Sequence, residues 1–121
     1  MALRYLSTLD AAAIGAAARH TLGTWGGSRG YESYCEAIDE QMTRARGDMR
    51  YAGVVDESGA LVASLKRYRV RLASPHGPVE AVGIGAVFTP QPLRRAGHAS
   101  ALLRALLEDC LLYTSPSPRD S

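Results

Sequence analysis

Lysine, cysteine and long apolar segments are scarce in this chain of 121 residues. Lys66 is the only lysine among 14 lysine and arginine residues, and with the abundant alanine and glycine this favours a GC-rich bacterial coding sequence. Cys35 and Cys110 form no metal-binding or disulfide framework, which favours a reducing compartment. No stretch approaches the roughly 20 apolar residues of a membrane span, and the first ten residues lack a signal-peptide core. We therefore expect a cytoplasmic protein that binds neither a metal nor a membrane.

A large excess of charge of one sign is also missing. The formal net charge is +2 at pH 7, which is too small to imply binding to nucleic acid or to an anionic surface. Arg67, Arg69 and Arg71 alternate along a strand-like segment, and such a basic strip is one way to bind nucleic acid. Alternating arginines are also typical of the solvated face of an open sheet. We favour the solvated face, and we expect no nucleic-acid partner.

The remaining composition is that of an ordinary globular domain. The chain is 46% hydrophobic, with a mean hydropathy of -0.10, and its length suits one domain with a modest core. Changes between helical and alternating periods predict, in order, a short strand within residues 3–9, helices over 11–22 and 31–46, strands over 49–56, 60–73 and 79–89, and a helix from about 97 to 109. We therefore expect an α/β domain of the α+β type, with three consecutive antiparallel strands.

Local signals refine the helix ends and the buried faces. Ser7, Thr8 or Asp10 is expected to cap the first helix, and Gly47 to follow the end of the second. The expected buried positions are Leu9, Ile14 and Leu22 in the first helical region, Tyr34, Ile38 and Met42 in the second, and Leu102, Leu103, Leu106 and Leu107 in the last.

The most informative segment is VFTPQPLRRAGHAS, residues 87–100. A strand end, a loop and a helix start follow one another directly there. Free N–H groups and the positive end of the helix dipole bind anions at such a point. Gly97 lets a phosphate approach the backbone, and Arg94 and Arg95 add positive charge. The segment lacks a Walker lysine and the first glycine of the dinucleotide fingerprint, so it predicts a different kind of phosphate site.

The hexapeptide RRAGHA, residues 94–99, resembles the Arg/Gln-x-x-Gly-x-Gly/Ala pattern of the acetyl-CoA site in the GNAT superfamily of N-acetyltransferases. The apolar strand before it, the leucine-rich helix after it and the element order over residues 3–109 are also similar to that family. The resemblance implies a GNAT-like fold, acetyl-CoA as cosubstrate and direct acetyl transfer to a primary amine in a ternary complex. The amine would belong to a small molecule or a peptide.

The resemblance also implies which residues hold the cosubstrate. The backbone of Val87, Phe88 and Thr89 would pair with the pantetheine arm, and the backbone N–H groups of the loop and helix start would hold the pyrophosphate. The implied cosubstrate-binding residues are Val87, Phe88, Thr89, Arg94, Arg95, Ala96, Gly97, His98, Ala99 and Ser100.

Catalytic residues stay unassigned. Some family members carry a glutamate where this chain has Gly83, and Glu80 at the strand start is not assigned in its place. The tyrosine that often protonates the departing thiolate in the family sits on a helix later than any predicted here. His98 is expected to face solvent and to lend only its backbone N–H. Trp25 either lines an acceptor pocket or anchors a small satellite core, and both interpretations stay open.

Residues 110–121, CLLYTSPSPRDS, break the preceding pattern. The string CLLYTSPSPRD resembles the conceptual translation of a common sequencing adapter, so we expect the native segment to end at Asp109. In the family, a strand, a helix and further strands follow the motif helix. On this interpretation the chain is the N-terminal portion of the domain, truncated after the acetyl-CoA-binding helix, marginally stable and inactive. The alternative function is a non-catalytic module that binds CoA and regulates. No feature predicts the oligomeric state.

Overall fold

The computed structural model describes residues 2–114, with side chains to residue 111. The predicted order of elements is confirmed. The elements are β1 (Arg4–Leu6), α1 (Ala11–Trp25), α2 (Tyr31–Ala45), β2 (Met49–Val55), β3 (Leu61–Leu72), β4 (Val79–Phe88), a short 3-10 turn (Gln91–Leu93) and α3 (His98–Thr114). The helix α3 therefore continues beyond the predicted end at Asp109. Residues 115–121, most of the tail whose origin we questioned, lie outside the described residues, and their origin stays a prediction.

The four strands form one antiparallel sheet in the order β1-β2-β3-β4. Neighbouring residues of β2 show how the sheet divides the core. Tyr51 packs with buried side chains of α1 and α2 on one face. Ala52 packs on the other face with Leu102 and Leu106 of α3. The sheet thus lies between α1 and α2 on one side and α3 on the other, and β4 forms one of its edges.

Small side chains bring α1 and α2 close together. Asp10 caps α1 as predicted, because its carboxylate accepts a hydrogen bond of 2.9 Å from the N–H of Ala13. The residues of α1 that are buried are Ala17, Ala18 and Thr21, whereas the predicted anchors Ile14 and Leu22 are only partly buried. The Thr21 hydroxyl also lies 2.8 Å from the Tyr34 hydroxyl of α2. Close packing of two helices favours small residues over large ones at the contact.

The predicted exposures of Leu107 and Arg67 were wrong. Leu107 is 60% exposed, since it lies just outside the face that buries Leu102 and Leu106. Arg67 was expected on a solvated strip, but it is only 8% exposed, and its guanidinium donates to the Asp109 carboxylate of α3 at 2.9 Å. The strip ends where α3 covers the sheet, so the prediction holds for Arg69 and Arg71, whose side chains are 59% and 70% exposed.

Candidate functional site

A bulge shapes the end of β4. Lys66 of β3 pairs with Gly85, and Ser64 pairs with Phe88, so two residues of β4 stand opposite the single Leu65 of β3. Ala86, one of the two, has a left-handed backbone with φ 51°. An extra residue in one strand bends and twists it. As a result Gly85 and Phe88, three residues apart, follow the same alternation and face the same side of the sheet.

The loop after β4 contains a hydrogen bond from an arginine side chain and two residues with left-handed backbone conformation. Arg94 Nε donates to the carbonyl of Thr89 at 2.9 Å, and the Arg94 guanidinium lies 5.5 Å from the centre of the Phe88 ring. Arg95 and Gly97 both have left-handed backbones, with φ 71° and 81°. A Cβ on Gly97 would meet no atom within 4 Å, so glycine is favoured there by its φ and not by crowding.

A pocket of about 420 Å³ lies where the end of β4, this loop and the start of α3 meet. Its lining residues are Val87, Phe88, Thr89, Leu93, Arg94, Arg95, Gly97, His98, Ala99 and Ser100. The structure thus brings together every residue of the predicted set except Ala96. Leu93 was missed, although an apolar residue within a polar loop is a signal for an inward-facing side chain. The role of these residues in binding the cosubstrate stays a prediction.

Within the part of the chain that the structure describes, several polar groups in the pocket wall lack a partner of opposite charge or a hydrogen-bond partner. The first turn of α3 contains no acidic side chain to neutralise its N-terminus, and Arg94 and Arg95 are exposed beside it. The Thr89 hydroxyl and the His98 Nδ1 atom are buried and have no hydrogen-bond partner within the described chain. The prediction that His98 faces solvent was wrong. It is only 7% exposed, because α3 begins directly against the end of β4 and its first side chain is covered there.

Trp25, at the end of α1, lies against the same wall. Its ring makes an edge-to-face contact with Phe88 at a centroid distance of 5.4 Å, and its side chain is 46% exposed. It belongs to neither of the two buried clusters. The structure therefore places Trp25 next to the pocket through Phe88, and a role in binding an acceptor stays a prediction.

The position at which some relatives carry a glutamate is occupied differently here. Gly83 pairs with Tyr68 of β3, and the Tyr68 ring lies over both Gly83 and Gly85. Glu80 lies at the far end of β4, where its carboxylate is 3.8 Å from the guanidinium of Arg71. Nothing in the sequence pattern singled out Tyr68, because its position over the glycines depends on the pairing of β3 with β4.

The groups with altered pKa values lie outside the pocket. Burial lowers the pKa of Lys66, whose ammonium donates to the Gln41 side chain at 2.9 Å. Burial also raises the pKa of Tyr51 on the same sheet face. On the opposite face, burial together with the hydrogen bond to Asp109 raises the pKa of Tyr5 to about 12. These shifts reflect packing of the core and do not mark a proton-transfer group in the pocket.

Two further findings apply to the part of the chain that the structure describes. No cluster of three or more His, Cys, Asp or Glu side chains within residues 2–114 has the arrangement of a metal site. No helix in the described range is both long enough and apolar enough to cross a membrane.

The family model described as an acetyltransferase (GNAT) domain matches residues 9–112. No curated protein is significantly similar in sequence.

Several solved structures share the fold at low identity. An acetyltransferase from Trypanosoma brucei has 16% identity and a TM-score of 0.67, with 90% of this chain and 75% of that chain covered. A transcriptional regulator from Bacillus halodurans C-125 has 14% identity and a TM-score of 0.70, with 90% and 74% covered. A ribosomal-protein-alanine N-acetyltransferase from Brucella melitensis has 18% identity and a TM-score of 0.65, with 94% and 76% covered. At these identities the likeness shows the fold alone.

Proposed function

Since the chain belongs to the acetyltransferase (GNAT) domain family, we propose that the function of this domain is to transfer an acetyl group from acetyl-CoA to a primary amine by direct attack in a ternary complex. The observation that supports this most is the pocket between β4 and α3, which gathers nine of the ten implied cosubstrate-binding residues. We propose a small molecule or a peptide as the acceptor, in a bacterial cytoplasm.

The backbone and the charges at the start of α3 support binding of the phosphates of CoA. The left-handed backbones of Arg95 and Gly97 lie just before α3, where N–H groups are left free by the helix start. Gly97 leaves the approach open, since no atom lies within 4 Å of the place of its missing Cβ. The exposed side chains of Arg94 and Arg95 supply the positive charge that a pyrophosphate requires. These groups would hold the cosubstrate by its phosphates.

The end of β4 supports the second part of the proposal. One side of β4 pairs with β3, and no strand within residues 2–114 pairs with the other side. Its backbone groups can therefore bond to an extended ligand arm as to an added strand. The bulge at Ala86 and Val87 bends this strand end at the pocket wall. Bound acetyl-CoA would supply the acetyl thioester, and the backbone of Val87, Phe88 and Thr89 would orient it.

The alternative of a non-catalytic CoA-binding module is favoured by one observation. Gly83 stands where some relatives carry a glutamate, so β4 offers no carboxylate there to accept a proton from the amine. This alternative predicts the same CoA binding and no transfer to any amine.

Both candidate functions predict CoA binding, and the fluorescence of the single tryptophan tests it directly. Trp25 contacts Phe88 in the pocket wall, so CoA bound there should change its fluorescence in a saturable way. Arg95→Ala should weaken CoA binding about tenfold, which corresponds to about 1.4 kcal/mol for a lost charged contact. Arg71→Ala, at an exposed arginine of β3 outside the pocket, is the matched control and should bind as the wild type does. Equal affinities of the two variants would contradict the pocket assignment.

Transfer is measured separately as release of the CoA thiol from acetyl-CoA, with a panel of primary amines. Amine-dependent release supports the transferase. CoA binding without release for any amine supports the non-catalytic module, and absence of both overturns the proposed function.

A further inference from the structure

Two glycines, Gly83 and Gly85, lie on one face of β4. Gly83 and Gly85 face the side of the sheet that α1 and α2 cover, as Tyr68 does. The bulge puts Phe88 on the same face, and Trp25 of α1 packs against it. Because the two glycines have no side chains, the Tyr68 ring lies directly over them. The same face continues along the strand to Phe88, which lines the pocket.

The Tyr68 ring extends along this face of β4 toward the end that lies at the pocket. A Cβ on Gly83 would lie 3.4 Å from the Tyr68 Cβ, at the base of the side chain. A Cβ on Gly85 would lie 3.2 Å from Tyr68 Cε2 and 3.8 Å from the hydroxyl oxygen, at its tip. The ring therefore extends from Gly83 to Gly85, and its hydroxyl lies on the side nearer Phe88.

The Tyr68 hydroxyl is available to a ligand. It makes no hydrogen bond to any group in the described part of the chain, and Tyr68 is only partly buried. The side-chain atoms of residues 2–111 that are both buried and without a partner are Arg50 Nε, Thr89 Oγ1 and His98 Nδ1, and the Tyr68 hydroxyl is not among them. It is therefore accessible to solvent. By contrast, the nearby Lys66 ammonium is turned toward α2, where it donates to Gln41.

We propose that the Tyr68 hydroxyl binds the acceptor amine, accepting a hydrogen bond from its N–H and so directing the nitrogen toward the end of β4. The proposal rests on the proposed function, since it names the acceptor side of the same site. This face of the sheet carries three aromatic rings, with Tyr68 over the glycines and Trp25 packed against Phe88. The acceptor class that fits is thus a primary amine on an unbranched apolar chain, because such rings bind both apolar groups and ammonium.

The glycines and the tyrosine depend on one another. At 3.2 Å, a Cβ on Gly85 would be closer to the Tyr68 ring than ordinary van der Waals contact allows. A larger side chain at either glycine would occupy the space beside the ring or displace it. The phenol of β3 thus lies over the place from which a β4 side chain would otherwise project.

The test uses n-butylamine as the probe, titrated into the isotope-labelled chain with and without saturating CoA and followed by NMR. The amide resonances of Gly83 and Gly85 should shift in a saturable way. Tyr68→Phe should weaken this binding about fivefold, as expected for one neutral hydrogen bond. Tyr51→Phe is the matched control, since Tyr51 is a core tyrosine on the same face, and it should bind as the wild type does. Gly85→Ala, which crowds the ring, should also weaken binding.

Different outcomes separate the two proposals. Equal binding by the wild type and Tyr68→Phe, or shifts confined to residues other than Gly83, Gly85 and their neighbours, would overturn the role of Tyr68. An unchanged Trp25 signal with CoA would instead count against the proposed function, and the titration without CoA would still decide on Tyr68. Where transfer is measurable, Tyr68→Phe should raise the KM for the amine about fivefold while leaving the KM for acetyl-CoA unchanged.

Discussion

Removing the guanidinium of Arg67 should destabilise the domain far more than removing its exposed neighbour Arg69. Arg67 Nη1 donates to Asp109 at 2.9 Å, and the Tyr5 hydroxyl donates to the same carboxylate oxygen at 3.0 Å. The side chains of Arg67 and Asp109 are only 9% and 15% exposed. The substitution Arg67→Met keeps most of the apolar stem but leaves the Asp109 carboxylate with a single neutral donor.

The magnitude follows from the burial of the pair. Breaking a buried ion pair by removing one partner costs about 3–5 kcal/mol. Because Tyr5 still donates to Asp109 and the carboxylate keeps some solvent contact, we expect Arg67→Met to cost about 3 kcal/mol, the low end of that range. Arg69 pairs with Asp48 at 3.1 Å, but both side chains are 59% exposed. Arg69→Met should therefore cost less than about 1 kcal/mol.

Urea unfolding followed by circular dichroism measures both values as shifts of the midpoint at constant slope. The double variant Arg67→Met with Asp109→Leu should recover most of the loss, since apolar replacement of both partners removes the buried charge. If Arg67→Met cost no more than Arg69→Met, the Arg67–Asp109 pair would not stabilise the contact between α3 and the sheet.

Three single substitutions test other contacts. Asp10→Ala removes the cap that accepts from Ala13 N–H and should cost about 1 kcal/mol in thermal unfolding; an unchanged midpoint would contradict the cap. Burial and the hydrogen bond to Asp109 raise the pKa of Tyr5 from 10.0 to about 12. The stability that the protonated Tyr5 hydroxyl contributes is therefore complete below pH 10 and is lost as the pH rises to about 12. Urea midpoints of Tyr5→Phe should therefore fall less steeply over that range than those of the wild type, and equal slopes would refute the shift. Gly97→Ala places a side chain at φ 81° and should cost about 1 kcal/mol by backbone strain alone, together with weaker CoA binding; full stability would show that the loop adopts another backbone.

Much of the candidate site was accessible from the sequence because it is contiguous. The strand, loop and helix start over residues 87–100 lie next to one another in the chain, so their proximity needs no tertiary contact. Local rules for helix ends and glycine conformation then predict the anion-binding geometry. His98 was mispredicted for the opposite reason. Its burial depends on how α3 sits against β4, which the order of residues does not express.

The element order, the antiparallel pairing and the loop between β4 and α3 were determined by the sequence itself, through hydrophobic period, turn residues and the RRAGHA segment. Tertiary structure decided which groups meet from distant parts of the chain. The covering of the sheet by α3 buries Arg67 against Asp109 and leaves Arg69 exposed, although the strand pattern treats the two arginines alike. The register of β3 against β4 puts the Tyr68 ring over two glycines. Alternation along a strand shows only which side a residue faces, whereas strand register and helix docking decide what it meets there.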